Sequence, residues 1–458
     1  MTHRPTRPSP TRARRPAAAL ALLSLLLLPP LAAQGTGPIT LEQFRLANGL
    51  EVIFAPDRSA PVVAVDVWYE AGSRTVPPAQ AGLARLFERL MYAGTEHVAP
   101  GAHAALVNDL GGESLAEVSE ESARFGATVP AERLGLALWL EAERMRGLAI
   151  SDSSVNDARL AQLGDLRDRL NGEPYTEALL DAVTTLYDTA TCAGYSQPAI
   201  GRATTLPAIT TAQVRDFYVA RYAPSGARLV IAGSFDPADA RRLVMEYFNN
   251  IPRGNEPAPV TCTEPGSFAS RRHVVTDRQA GRPAAGVLYR LPPHNHADTP
   301  ALELLGIILT EGSGARLPTV LGRELRAAAA TQGGIIGDRR ATGAFLLFGV
   351  SSNRVSGDSL AAMLAAQAAW AGSDSLGAAQ LERARHIYRA TAASDRERMA
   401  DIANAVQHAA AFHGNPSEVN AEPARILAVT LDDLRRVART WLRPENAVTL
   451  IINPEARQ

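Results

Sequence analysis

Two stretches of this chain repeat one another at a fixed spacing, and that repeat limits the possible folds more than any other feature. Residues 209–233 read ITTAQVRDFYVARYAPSGARLVIAG, and residues 429–453 read VTLDDLRRVARTWLRPENAVTLIIN. At a constant offset of 220, Thr210 matches Thr430, Val214 matches Leu434, Pro224 matches Pro444 and Ala227 matches Ala447. Each copy opens on a threonine suited to cap a helix N-terminus. An amphipathic helix follows, a proline breaks it, and the copy ends on a β-rich strand (LVIAG, VTLIIN). The repeat predicts two halves of one fold, each of roughly 210 residues. Residues 252–268, PRGNEPAPVTCTEPGSF, read as a proline-rich linker between an N-terminal half at 38–251 and a C-terminal half at 269–458.

Each half mixes strands and helices. EVIFAPD and PVVAVDVWYEAG alternate apolar and polar residues in the first half, and AFLLFGVSS at 344–352 repeats the pattern in the second. Residues 131–147 and 355–371 read as amphipathic helices. Strands and helices come in blocks rather than in strict alternation, which predicts an α+β fold. A net charge of −1 gives no electrostatic reason to expect nucleic acid or an anionic membrane as a partner. The doublets Arg271-Arg272, Arg339-Arg340 and Arg435-Arg436 read as solvated surface.

The first residues have the form of an export signal. An arginine- and proline-rich stretch precedes an apolar run at 17–28, AAALALLSLLLL, and then PPLAAQG supplies small residues for cleavage after Ala33. The run is short for a bilayer span, so an anchor is the lesser reading. No cysteine follows it as a lipoprotein would need, and Arg14-Arg15 is a weak twin-arginine signal. The expectation is an exported protein, periplasmic or secreted, with residues 1–33 removed and no membrane attachment afterwards. An oxidising compartment suits a disulfide between Cys192 and Cys262; two separate buried thiols are the alternative.

The chemistry-bearing stretch is GLARLFERLMYAGTEH at 82–97. Leu86, Phe87, Leu90 and Met91 supply an apolar helix face, while Arg85, Glu88 and Arg89 share another at i, i+3 and i+4. The inverted zinc motif H-x-x-E-H uses this spacing, with histidine at both ends and glutamate as base. Both ends are arginine here. Of the nine histidines, His97, His103, His294, His296, His408 and His413 form suggestive pairs, but ordinary core or surface histidine is the simpler reading of each. No G-x-S-x-G elbow occurs, and GGIIGD at 333–338 lacks the features of a phosphate loop.

The order of elements resembles the insulinase/pitrilysin (inverzincin) metallopeptidases. NGLEVIFAPDRSAPVVAVDVWYEAGSR at 48–74 is similar to that family's opening hairpin, and residues 81–96 to its metal helix. Residues 110–145 are similar to its edge strand and following helix, and 209–233 to its closing unit. The resemblance implies two tandem homologous α/β sandwich-like halves, each an antiparallel sheet packed with helices, which together form half of a clam-shaped chamber. It also implies peptide substrates that add as a strand to a sheet edge.

The departures from the family pattern bear on function. Arg85 and Arg89 stand at the two metal-histidine positions, and only Glu88 remains, at the base position. The third-ligand position falls at Gly164 or Asp165 in the helix 155–170. Guanidinium has no lone pair to give, so neither arginine can ligate zinc. The expectation is no metal and no catalytic residue, with Glu88 either ion-paired to Arg85 or Arg89 or simply part of a solvated face. In the second half, residues 312–334 are similar to the family segment that holds the substrate backbone. Arg323 stands at its arginine position, but the tyrosine position falls among Ala329, Ala330 and Thr331, and the alanine run reads as helix. Glu113, Glu117, Glu120 and Glu121 near the edge strand read as a bias toward basic peptides or as a solvated acidic edge. Three functional readings follow. The first is a non-catalytic subunit that pairs with a zinc-bearing family member or with a second copy. The second is an independent peptide-binding scaffold. The third is an active metallopeptidase with an unrecognised site.

Overall fold

The computed structural model describes residues 37–260, 262, 268–337 and 339–455, so the export signal expected at 1–33 lies outside the described residues. From Pro38 onward the chain forms one compact unit. Its first sheet contains β1 (Glu42–Arg45), β2 (Glu51–Pro56), β3 (Val62–Tyr69), β4 (Glu113–Val118), β5 (Ala123–Pro130) and β6 (Ala227–Gly233), in the order β1-β2-β6-β3-β5-β4. The second contains β7 (Arg271–Asp277), β8 (Ala284–Leu291), β9 (Ala328–Ile335), β10 (Gly343–Ser351) and β11 (Ala447–Pro454), in the order β7-β11-β8-β10-β9. Apart from the extra β1, the two orders are the same, and both sheets are antiparallel except for one parallel pair each, β2–β6 and β7–β11.

The helices of the first half are α1 (Leu83–Leu90), α2 (Ala102–Asp109), α3 (Leu134–Arg146), α4 (Asp152–Gly172), α5 (Thr176–Thr184), α6 (Thr211–Arg221) and α7 (Pro237–Phe248). Those of the second are α8 (Thr299–Thr310), α9 (Gly357–Ala371), α10 (Ala378–Ser394), α11 (Met399–His413), α12 (Glu418–Ala428) and α13 (Leu431–Trp441). Thr210 and Thr430 cap α6 and α13 with the same reciprocal box: each hydroxyl accepts from the third helical N–H, whose side chain accepts in turn from the threonine N–H. No helix among the described residues is long and apolar enough to cross a membrane.

The strand alternation read from the sequence separates two buried faces rather than a buried face from a wet one. In the first sheet Val52, Phe54, Val63, Val65, Leu229 and Ile231 face a core built with α1 and α3. Their neighbours Ile53, Ala55, Ala64, Val230 and Ala232 face Met399, Ile402, Ala403 and Val406 of α11, a helix from the other half. The second sheet shows the converse. Leu288, Val448, Leu450 and Ile452 pack against Ala182 of α5 and against Leu186, Tyr187, Cys192 and Tyr195 that follow it. The halves therefore exchange helices, each covering the outer face of the other's sheet. Gln407 of α11, fully buried, pins one exchange by donating to Asp66 O at 3.0 Å, Asp66 Oδ1 at 3.1 Å and Arg228 O at 3.2 Å. Cys192 and Cys262 are joined in a disulfide.

Three expectations from the sequence are corrected. β2 and β3 do not form a hairpin: β6, arriving from far along the chain, lies between them, and the local hairpin is β1–β2 across the Asn48-Gly49 turn. Gly49 has φ +95, which glycine adopts without strain. The alanine run begins β9 instead of forming a helix, because pairing with β10 overrides a weak local preference. The doublet Arg339-Arg340 is not solvated surface: Arg339 is 3% exposed, and Arg340 pairs with Glu70 across the halves through two 2.8 Å bonds.

Candidate functional site

The stretch with Arg85, Glu88 and Arg89 lies on α1. Gly82 precedes the helix with φ +96, where a Cβ would come within 2.6 Å of Leu206 Cδ2. Leu83, Leu86, Phe87 and Leu90 point into the core, and Phe87 stacks on Tyr222 at a centroid distance of 4.6 Å. Arg85, Glu88 and Arg89 occupy the opposite face. Glu88 Oε1 accepts from Val118 N of β4 at 2.9 Å, and Glu88 Oε2 lies 3.4 Å from Arg85 Nε. Burial raises the Glu88 pKa above the usual carboxylate value, with Arg85 and the Val118 N–H opposing it. Arg89 bonds across to Asp165 Oδ2 of α4 at 2.8 Å. Gln162 holds α4 in place by donating to Gly82 O at 3.1 Å and to Ile200 O at 2.8 Å.

The structure thus brings all four motif residues together, and it pairs Glu88 with Arg85 and Asp165 with Arg89. This donor set does not fit zinc. Two carboxylates are present, but each already faces a guanidinium, and the guanidinium nitrogens hold protons where a zinc ligand needs a lone pair. The Arg89–Asp165 pair is open to solvent, with side chains 50% and 59% exposed. Replacing Asp165 with asparagine should therefore change unfolding stability by only about 0–1 kcal/mol, read from the denaturant midpoint, and a larger loss would mean the pair anchors α4.

Among the described residues β4 is the outermost strand of its sheet and pairs only with β5. Each of its acidic neighbours has a cationic partner. Glu113 pairs with Arg398 at 3.6 Å, Glu117 with Arg124 at 3.0 Å and Glu120 with Arg339 at 3.3 Å. Glu121 is buried beside Arg74 at 2.7 Å and accepts from Tyr195 Oη and from Arg340 N, the latter at 2.9 Å. The solvated-edge reading holds for Glu113 and Glu117, whose side chains are 79% and 54% exposed, while Glu120 and Glu121 belong to an ion-pair cluster that joins the halves around Glu70, Arg339 and Arg340. Burial opposes ionisation of Glu70, but Arg340 and Arg74 hold its carboxyl below the usual value. Glu70 has one near partner, Arg74 at 3.1 Å, but no local pattern marks Arg340, whose carboxylate partners Glu70 and Glu121 are distant in sequence.

Arg323 lies in a turn of π-helix, Pro318–Glu324, that precedes β9. Its guanidinium donates to Ser313 O and to Thr319 Oγ1, both at 2.7 Å, so it engages its own segment. Ala329, Ala330 and Thr331 sit on β9, the outer strand of the second sheet, and offer no phenol.

Two family models match this architecture. "Insulinase (Peptidase family M16)" matches residues 51–190, which include α1 and α4, and "Peptidase M16 inactive domain" matches residues 208–388. The chain belongs to peptidase family M16, the insulinase family. A zinc protease of Helicobacter pylori, PqqE, is 25% identical to this M16 chain over 283 residues, or 61% of this chain and 63% of that protein. A solved protease structure from Helicobacter pylori superposes with a TM-score of 0.86 at 22% identity, covering 91% of this M16 chain and all of that one. The periplasmic protease PqqL from Escherichia coli superposes with a TM-score of 0.72 at 15% identity, covering 91% of this chain but only 48% of PqqL. PqqL is thus about two such lengths in one chain. Zinc protease is the description of the Helicobacter relative; in this M16 chain the exposed face of α1 carries Arg85, Glu88 and Arg89.

Proposed function

We propose that this chain is a non-catalytic M16 subunit that pairs with a zinc-bearing family member and completes a chamber for peptide processing or degradation, in the periplasm or outside the cell. The observation that carries the reading is the face of α1, which presents the guanidinium groups of Arg85 and Arg89, paired with Glu88 and Asp165, where the resemblance would call for imidazoles. Arg85 and Arg89 could not hold a metal to activate water at this face, yet the two sheets and their helices are intact. Its contribution would be wall and interface, with the outer edge of β4 offering backbone groups to an extended peptide. That PqqL joins two such lengths in one chain supports pairing as the way a single length completes itself.

A second reading, an independent peptide-binding scaffold, is favoured by Arg323, which is turned onto Ser313 and Thr319 in a segment that lacks the family tyrosine.

The test is co-expression of the mature chain with an M16 protein that retains H-x-x-E-H. The isolated chain should cleave no fluorogenic peptide with or without added Zn2+. The pair should co-elute and cleave, losing activity on Glu→Gln in the partner's motif and keeping it on Glu88→Gln here. Peptide binding by the isolated chain, with no complex and no activity, would favour the scaffold. Chelator-sensitive cleavage by the isolated chain, lost in Glu88→Gln, would overturn both readings.

A further inference from the structure

We infer that His294, His413 and Glu422 form a binding site for one divalent transition-metal ion, Zn2+, on the second half of the molecule and separate from the α1 face. Among the described residues these three are the one group whose ligand atoms all come together, within 4.8 Å of one another. In a tetrahedral zinc site with bonds of about 2.1 Å, ligand atoms are about 3.4 Å apart. A contraction of roughly an ångström, within reach of side-chain rotation, would close the set on an ion.

Three elements far apart in sequence build the cluster. His294 follows β8 in the turn Pro292-Pro293-His294, and its N–H donates to Arg339 O at 3.0 Å, which fixes the turn. His413 is the last residue of α11. Gly414, at φ +70, ends that helix in the left-handed conformation and turns the chain into α12. Glu422 then faces back from α12, which is held by paired hydrogen bonds between the Asn420 side chain and Ile39, at 2.7 and 2.9 Å. The imidazoles are oriented before any ion arrives. His294 packs edge-on against His408 at 4.6 Å and His413 at 5.6 Å, and tilted against Phe412 at 5.0 Å.

The polar bookkeeping of the cluster points to a ligand. His413 Nε2 is buried without a hydrogen bond and lies 3.8 Å from Glu422 Oε1, too far for one. A buried ring nitrogen without a partner is uncommon, and metal coordination would satisfy it. The nearby guanidiniums are partly offset, since Arg425 is paired with Glu418 and Arg436 with Asp298. The cluster lines a cavity of about 700 Å3 open to solvent, which gives an ion a route in and leaves room for water as a fourth ligand. Two imidazoles and one carboxylate suit zinc and its neighbours, not magnesium or calcium, which favour all-oxygen sites. The ion would tie the exchanged helix α11 to α12 and to the loop after β8.

The test is titration of chelator-treated full-length mature chain with Co2+, followed by visible absorption, and with Zn2+, followed by calorimetry. One equivalent should bind, with d–d bands typical of four- or five-coordinate cobalt. His413→Ala and Glu422→Gln should each weaken binding by about 100-fold or more, while Glu88→Gln should leave it unchanged. Should His413→Ala fold poorly, the isosteric Glu422→Gln decides alone, with metal-free circular dichroism matching wild type as the check. Absence of saturable binding below millimolar metal would overturn the site. So would binding that survives Glu422→Gln, or binding that is lost in Glu88→Gln.

Discussion

Glu141→Ala is expected to lower unfolding stability by about 3–5 kcal/mol, the usual result of breaking a buried ion pair by removing one member. Glu141 is 1% exposed and hydrogen-bonded by Arg144, whose own side chain is fully buried. Without the carboxylate, a guanidinium remains in the core beneath the first sheet, close to the rings of Tyr92 and Phe125. His103 Nε2 lies 3.6 Å from the same carboxylate. These groups also set a pH dependence. Burial alone would raise the Glu141 pKa, but Arg144 and His103 outweigh it and hold the value below normal. The His103 pKa is lowered by burial and then by Arg144. In both cases the unfolded chain takes up the proton before the folded one does, so stability falls as pH falls. Loss should begin below about pH 6.5, where His103 titrates in the unfolded chain, and deepen below about pH 4.3 as Glu141 follows. Urea midpoints of wild type and Glu141→Ala between pH 4 and pH 8 check both points. A variant within about 1 kcal/mol of wild type would show that Arg144 finds another partner or water.

The disulfide should account for the second large effect. Cys192 and Cys262 close a loop with a sequence separation of 70. In the chain-entropy account, opening a loop of that length costs about 4 kcal/mol. Cys192 is fully buried beside Tyr187 and Tyr195, in the segment through which the first half covers the second sheet. The double variant Cys192→Ala/Cys262→Ala, like the reduced wild type, should therefore unfold at a markedly lower guanidinium concentration. A midpoint unaffected by reductant would mean that packing against the second sheet already confines this segment. The double replacement avoids leaving one reactive thiol behind.

Much of the candidate site was legible because its chemistry is local. The helical spacing of Arg85, Glu88 and Arg89 puts them on one face whatever surrounds them, and an arginine lacks a lone pair in any fold. Asp165 could be placed opposite only through the resemblance to a family, and the structure is what pairs it with Arg89. The ion-pair network was not legible. Glu70, Glu121 and Arg340 are unremarkable charges in sequence; Arg74 joins the two glutamates within the first half, and Arg340 meets them only when the two halves come together. The same holds for His294, His413 and Glu422, because no sequence spacing connects a loop after β8 to α11 and α12.

The sequence by itself determined the duplication, the mixture of strands and helices in each half, the capped closing units and the arginines at 85 and 89 that flank Glu88 on one helix face. Each of these follows from short-range periodicity, capping chemistry or side-chain identity. Tertiary structure alone decided that β6 lies between β2 and β3, that the alanine run pairs as β9, and that α5 and α11 are exchanged. Those outcomes depend on which distant surface buries an apolar face or completes a ladder. The free energy of such burial exceeds the fractions of a kilocalorie by which local preference separates helix from strand.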